Sequence, residues 1–339
     1  MFASRTGTML YAAFCTQKRL VATFSMDGND VCQIASLPPK KLGKIALDVA
    51  RCGGSDIRIW KTFVDSCTGN VESFDSKDTL RIWKAVGSFY RNYNHKLREP
   101  DVKFIIQLLL HSQTVCNGYT CDQLSQLAEI VCDFSVANGH LIEITTSLFS
   151  NIAVLFNIRL AEAMPYGVVR LLVAFSRLGI RDPYLMDSLS TFICNYEGFT
   201  VHDLRTVLMS CALMDYRSLE LLKHATDQFL LLSEVGINDL AILSFVYSTL
   251  DYRTDEVISL FRRHLDGMSA TPEIGDQPAE GHALDWPSFC LFLNSLGVSI
   301  PEHVIRYIEV HRLSRDAFFK VVHLLPCWSG IVNLKLMGR

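Results

Sequence analysis

The apolar residues of this chain fall at helical spacing, and the spacing itself repeats. Val201, Leu204, Val207, Leu208, Cys211 and Ala212 line one face of a first helix, Asp215-Tyr216-Arg217 supplies a tight turn, and Leu219, Leu222, Ala225 and Phe229 give the return helix its inner stripe. Thr200 stands where it can cap the first helix, with Asp203 three residues on in the capping-box position. Asp203-Leu204 recurs 36 residues later as Asp239-Leu240, and Met214-Asp215-Tyr216-Arg217 recurs as Leu250-Asp251-Tyr252-Arg253. Another 36 residues back from Met214 and Arg217 stand Leu178 and Arg181 of Leu178-Gly179-Ile180-Arg181. A register that holds across a whole hairpin marks a repeat architecture.

Degenerate copies extend the array. Ser36 with Pro38-Pro39 opens a helix through Ala50, Cys52-Gly53-Gly54-Ser55 turns it, and Ile57–Val64 begins its partner. Further units centre on Leu80–Tyr90, Cys121–Phe134 and Pro287–Leu296, and a last one is expected from Ser314. Spacing among these further units drifts to the mid-forties, which predicts longer loops there. The stretch Met268–Asp285 holds Gly, Pro and acids without apolar period and reads as an inserted loop. The pattern therefore predicts an all-α solenoid of stacked antiparallel helical hairpins, with a repeat of about 36 residues or longer. It occupies residues 36–339, with the loop insertion at 268–285, after an N-terminal segment over residues 1–35. Each hairpin carries an apolar stripe on both helices and buries it only against its neighbours, so the units stack and expose a long surface suited to large partners.

Composition narrows the class. The chain is 49% hydrophobic and 20% charged over 339 residues, more apolar than an average domain, yet no apolar run reaches the roughly 18 residues of a membrane span. Eleven scattered cysteines without a C-x-x-C pair argue for reduced, mostly buried thiols in an intracellular compartment rather than a disulfide framework. The formal net charge is −3, which argues against a protein coating nucleic acid along its whole length and gives no sign of DNA as a partner. Charge is unevenly placed: Lys and Arg number 16 against 10 acids over residues 1–110, 4 against 8 over 111–199, 6 against 14 over 200–285 and 6 against 3 over 286–339. The first 26 residues carry Arg5, Lys18 and Arg19, several Ser and Thr and no acid, as a mitochondrial targeting signal does.

Two candidate sites follow. Lys77, Arg81, Lys84, Arg91, Lys96, Arg98 and Lys103, with Phe89, Tyr90 and Tyr93 interleaved, have the cations that neutralise phosphates and the rings that stack on bases. An equally good account is a solvated helix face whose aromatics are core. Arg181, Arg217 and Arg253 recur at equivalent positions and form a row of cations along one edge, suited to a phosphate backbone or an acidic partner. The commoner use of such a residue is to close its own turn against Asp182, Asp215 or Asp251. Nothing points to a metal site, a cofactor or an enzyme. His111, Cys116 and Cys121 lie five apart, His303 and His311 two turns apart without a third ligand, Cys211 sits on an inner stripe, and Gly53-Gly54 is a lone pair rather than a phosphate loop.

The segment Ala174–Gly179, Ala-Phe-Ser-Arg-Leu-Gly, followed by Arg181-Asp182-Pro183, resembles organellar helical-repeat proteins of the octotricopeptide, heptatricopeptide, RAP-domain and FAST-kinase-like group. The resemblance covers roughly residues 36–325 and is best over Pro165–Leu260. It implies hairpins that bind RNA in mitochondria or chloroplasts, and membership of the mitochondrial ribosome. No RAP-type domain is expected, since the chain closes on Val332-Asn333-Leu334-Lys335-Leu336-Met337-Gly338-Arg339, and this favours a structural role. The expectation is a non-catalytic scaffold in the mitochondrial matrix, part of the mitochondrial ribosome and touching ribosomal RNA and neighbouring proteins. A protein-only subunit or assembly factor of a respiratory or ATP-synthase complex suits the apolar composition as well. An RNA-processing or stability factor would need polar side chains at fixed positions of successive repeats, and the inner stripes are too apolar to display such a code.

Overall fold

The computed structural model describes residues 33–54, 56–93, 98–267 and 286–305. The targeting-like first 26 residues, the insertion 268–285 and the unit expected from Ser314 lie outside them. Among the described residues there is no strand, residues 33–35 and 302–305 are helical, and thirteen α-helices lie wholly within them: α1 (Pro39–Gly53), α2 (Ile57–Thr68), α3 (Ser76–Tyr93), α4 (Glu99–Val115), α5 (Cys121–Ala137), α6 (Ile142–Ile158), α7 (Pro165–Leu178), α8 (Pro183–Asn195), α9 (Val201–Leu213), α10 (Leu219–Leu231), α11 (Ile237–Thr249), α12 (Asp255–Gly267) and α13 (Trp286–Ser295). Short 3₁₀ turns at Val71–Ser73, Cys116–Gly118, Gly139–Leu141 and Leu160–Glu162 join the earlier ones.

Odd-numbered helices pack against odd-numbered ones in chain order and even-numbered against even-numbered, which gives two parallel layers. This is the stacked-hairpin solenoid, and its repeat follows from local chemistry. Thr200 accepts from the Asp203 amide while the Asp203 carboxylate accepts from the Thr200 amide, the capping box expected at the start of α9. The second helices α8, α10 and α12 begin on Asp182, Ser218 and Thr254, spaced by 36, whose side chains accept from Leu185, Leu221 and Val257 amides.

The turn between the two helices of a unit is equally regular. Gly179, Asp215, Asp251 and Gly297 have φ of 66°, 52°, 48° and 65°, in the left-handed region. The next amide in each case reaches back five residues: Ile180 to the Phe175 carbonyl at 3.0 Å, Tyr216 to Cys211 at 2.9 Å, Tyr252 to Tyr247 at 2.9 Å and Val298 to Leu293 at 3.0 Å. This Schellman closure satisfies carbonyls that the helix end would orphan.

The longer spacing of the first half has a cause other than longer loops. Helices α3 to α6 run to 17 or 18 residues where α8 to α12 have 13, so the added residues are mainly helical. A second correction concerns Leu219. It is the first residue of α10 and is 59% exposed, while Leu221, Leu222, Ala225 and Phe229 form the buried stripe.

Candidate functional site

Among the described residues most ion pairs join side chains of the odd-numbered layer. It begins at α1 and α3, which approach so closely that a Cβ on Gly43 would lie 2.6 Å from Asp78 Oδ1. Only a glycine permits that contact. It fixes the rotation of both helices, and the 3.6-residue period then turns Lys40 and Lys44 of α1 and Lys77, Arg81 and Lys84 of α3 to one outer face. Asp78 itself is buried and paired with Arg81 at 3.0 Å.

Further along the face, cation and carboxylate alternate across helices. Asp133 of α5 lies between Arg91 of α3 and Arg177 of α7, at 2.6 Å from each. Arg170 of α7 reaches Asp122 and Glu129 of α5 at 3.3 and 3.2 Å, and Arg205 of α9 is paired with Asp239 of α11. Arg170 also sits over the Tyr166 ring, 5.5 Å from its centroid, and the Asp122 carboxylate raises the Tyr166 phenol above its ordinary value. A shallow cleft of about 250 Å³ runs between these groups, lined by Glu129, Tyr166, Val169, Arg170, Arg177 and Asp203 among others.

The residues singled out in the basic stretch separate into two kinds. Arg81, Arg91 and Arg98 are engaged within the fold, with Arg98 held on the buried Asp101 at 2.8 Å. Lys77 and Lys103 are exposed and Lys84 half-exposed, and none of the three contacts a described polar partner. Lys103 lies on α4, in the other layer. Lys96 and the Tyr93 side chain lie outside the described residues. Phe89 and Tyr90, read as possible base-stacking rings, belong to the core: Phe89 stacks on Trp60 at 4.0 Å and Tyr90 meets Phe89 edge-on at 5.2 Å. Burial, with the Asp101 carboxylate nearby, holds the Tyr90 phenol well above its usual range.

The row of edge cations is also part of the framework. Arg181 donates to the Asp215 carbonyl and Arg217 to the Asp251 carbonyl, each at 3.0 Å, so each braces the turn of the next unit rather than its own. Arg253 lacks an equivalent turn 36 residues on and rests 3.6 Å from Asp251.

The division is general. All fourteen arginines among the described residues contact a carboxylate or a backbone carbonyl. Of the eight described lysines, seven lie in α1 to α4, and none of those seven makes a hydrogen bond or ion pair within the described fold. Lys40, Lys41 and Lys44 of α1 belong to this set, outside the basic stretch that the sequence points to. The planar guanidinium, with five fixed donors, suits bracing between helices; the ammonium is a solvated point charge.

No group of three or more His, Cys, Asp or Glu side chains converges among the described residues. The His111 ring meets the Phe74 carbonyl at 2.8 Å. Burial pushes the Cys211 thiol up to about 12 and those of Cys116 and Cys121 up to about 11, so these sulfurs stay protonated and weakly nucleophilic at neutral pH. Among the described residues no helix is long and apolar enough to cross a membrane. The chain matches no protein-family model and no curated protein.

Proposed function

We propose that this helical-repeat scaffold is a structural component of a mitochondrial ribonucleoprotein, the mitochondrial ribosome being the leading candidate, with RNA at its first two hairpins and proteins along the later repeats. The observation that carries this reading is the segregation of charge along one continuous stack. Described residues up to 115 carry twelve Lys and Arg against eight acids, whereas residues 116–267 carry ten against eighteen. Like charges are gathered at the expense of local repulsion, and such gathering serves partners of opposite sign. The targeting-like start and the resemblance of Pro165–Leu260 to organellar repeat proteins support the mitochondrial part of this reading.

A protein-only scaffold of a respiratory or ATP-synthase complex is the second reading. It draws on the even-numbered layer, where Val154 and Ile158 of α6, Tyr184 of α8 and Leu219 and Leu231 of α10 are 58 to 82% exposed. Apolar side chains raised from consecutive helices of one layer suit a protein neighbour. Sedimentation of the tagged protein from mitochondrial lysate, with and without ribonuclease, separates the two. Migration with a ribosomal subunit that ribonuclease abolishes supports the first reading. Ribonuclease-insensitive migration with a membrane complex replaces it with the second.

A further inference from the structure

We propose that Lys40 and Lys44 of α1, with Lys77 and Lys84 of α3, form a docking face for the phosphate backbone of double-helical RNA, bound without regard to sequence. This rests on the ribonucleoprotein reading and moves the contact from the arginines of α3 and α4 to the lysines of α1 and α3.

The first ground is availability. Arg81, Arg91 and Arg98 are held by Asp78, Asp133 and Asp101, and withdrawing Arg81 or Arg98 would strand a carboxylate that is 7% or 2% exposed. Breaking such a pair is strongly destabilising. The four lysines have no partner among the described residues and lose nothing by turning to a ligand. The second ground is placement. The Gly43–Asp78 contact brings α1 and α3 together near their N-terminal ends, so the four ammonium groups share one face. Lys40 and Lys44 are separated by about 6 Å of helix rise and Lys77 and Lys84 by about 10 Å, on axes about 8–10 Å apart. Acids on this face are occupied: Asp48 pairs with Arg51 at 3.3 Å, and Asp75 accepts the Asp78 amide at 2.8 Å.

The third ground selects the partner. Single-stranded RNA is held by rings that stack on bases, and the described aromatics of these two helices are taken up by the core: Trp83 and Phe89 are buried, and the partly buried Tyr90 packs edge-on against Phe89 and Phe134. An anionic membrane needs apolar insertion beside the cations, and Leu47, at 38%, is the sole exposed large apolar residue on α1 and α3 among those described. Cations without rings or an apolar wedge fit a regular phosphate array, which a duplex presents.

The test uses the full chain and a labelled RNA duplex of about 20 base pairs, its affinity read by fluorescence anisotropy at several salt concentrations. Four phosphate contacts predict a log–log salt slope of about −3.6, a loss of about two orders of magnitude in affinity between about 50 and 200 mM salt. Each single Lys→Gln change flattens the slope by about one, and K40Q/K44Q/K77Q/K84Q abolishes binding while the melting temperature stays within a degree or two of wild type. R81Q provides the contrast, lowering the melting temperature first. Tighter binding to single-stranded RNA than to duplex, equal competition by poly-glutamate, binding to anionic vesicles in place of RNA, or an unchanged slope in the quadruple variant would each overturn the proposal. Its failure is separable from that of the ribonucleoprotein reading. A quadruple variant that still co-migrates with a ribosomal subunit removes the lysine face alone. Lysine-dependent duplex binding by a protein that sediments with a membrane complex removes the ribosome assignment alone.

Discussion

At the scale of single residues, four equivalent turns use two solutions to one steric problem. The left-handed conformation suits glycine, and Gly179 and Gly297 adopt it freely; Asp215 and Asp251 adopt it with a Cβ, at some cost in strain. What Arg181 takes from Asp215 is the backbone carbonyl, which any residue provides. Asp215→Gly should therefore keep the brace, leave the fold intact and stabilise it by up to about 1 kcal/mol, whereas Gly179→Ala should destabilise by about 1 kcal/mol. Paired urea denaturation curves check both, and a loss on Asp215→Gly comparable to that on Gly179→Ala would mean that the Asp215 carboxylate has a structural partner. The sequence showed Asp215 and Asp251 as equivalent, because the 36-residue register is printed in it. That the shared feature is a backbone conformation, satisfied by Gly at one turn and Asp at the next, emerges only from the dihedral angles.

Between elements, the interactions that tie one unit to the next were the least legible in the sequence. Arg91 and Asp133, or Arg177 and Asp133, are more than 40 residues apart, and no periodicity announces which of many charged residues will meet. Basic composition in α3 suggested RNA, and half of that signal proved to be the ion-pair framework. The end of α10 shows the same logic with a titratable group. Arg263 of α12 donates to the Leu230 carbonyl at 2.6 Å, and the buried His264 ring donates through Nε2 to the Phe229 carbonyl at 3.3 Å. Burial, reinforced by the Arg263 charge, lowers the His264 pKa below its model-compound 6.5, so the fold holds the neutral ring. A depressed histidine pKa means that the unfolded chain takes up the proton first. Its contribution to stability is complete above about 6.5 and is lost as pH falls toward the folded-state value. The urea midpoint should accordingly drop between about pH 7.5 and pH 5.5, and drop less in His264→Gln, which keeps a donor without the titration. Equal pH dependence in the two proteins would place the titrating group elsewhere.

For the molecule as a whole, the solenoid was readable because its stripes obey one period, and Leu204, Leu208, Leu240 and Leu243 are buried where that period puts them. The candidate interface was less readable, since the distinction between a tied arginine and a free lysine lies in neighbours from other units. Stability in such an array is passed from unit to unit. Leu208 is 1% exposed on α9, between α7 and α11. Leu208→Asp buries a charge without a partner and should cost about 3–5 kcal/mol. Hydrogen exchange should locate the damage in α7 to α11 and leave α1 to α4 protected. Uniform loss of protection along the chain would show one cooperative block instead. The forward reach of Arg181 and Arg217 has a further consequence for how such a chain can change length. Each unit supplies the donor that its successor's turn accepts, so a tandem duplication of residues 182–217 would arrive with its own turn to offer and its own arginine to extend, leaving no seam on either side. An insertion of any other length breaks this succession, as at Arg253, where the following turn comes 46 residues after Asp251 and Arg262 of α12 contacts the Gly297 carbonyl in its stead. Growth by whole copies is thus the mode of elongation that this backbone accepts without repair.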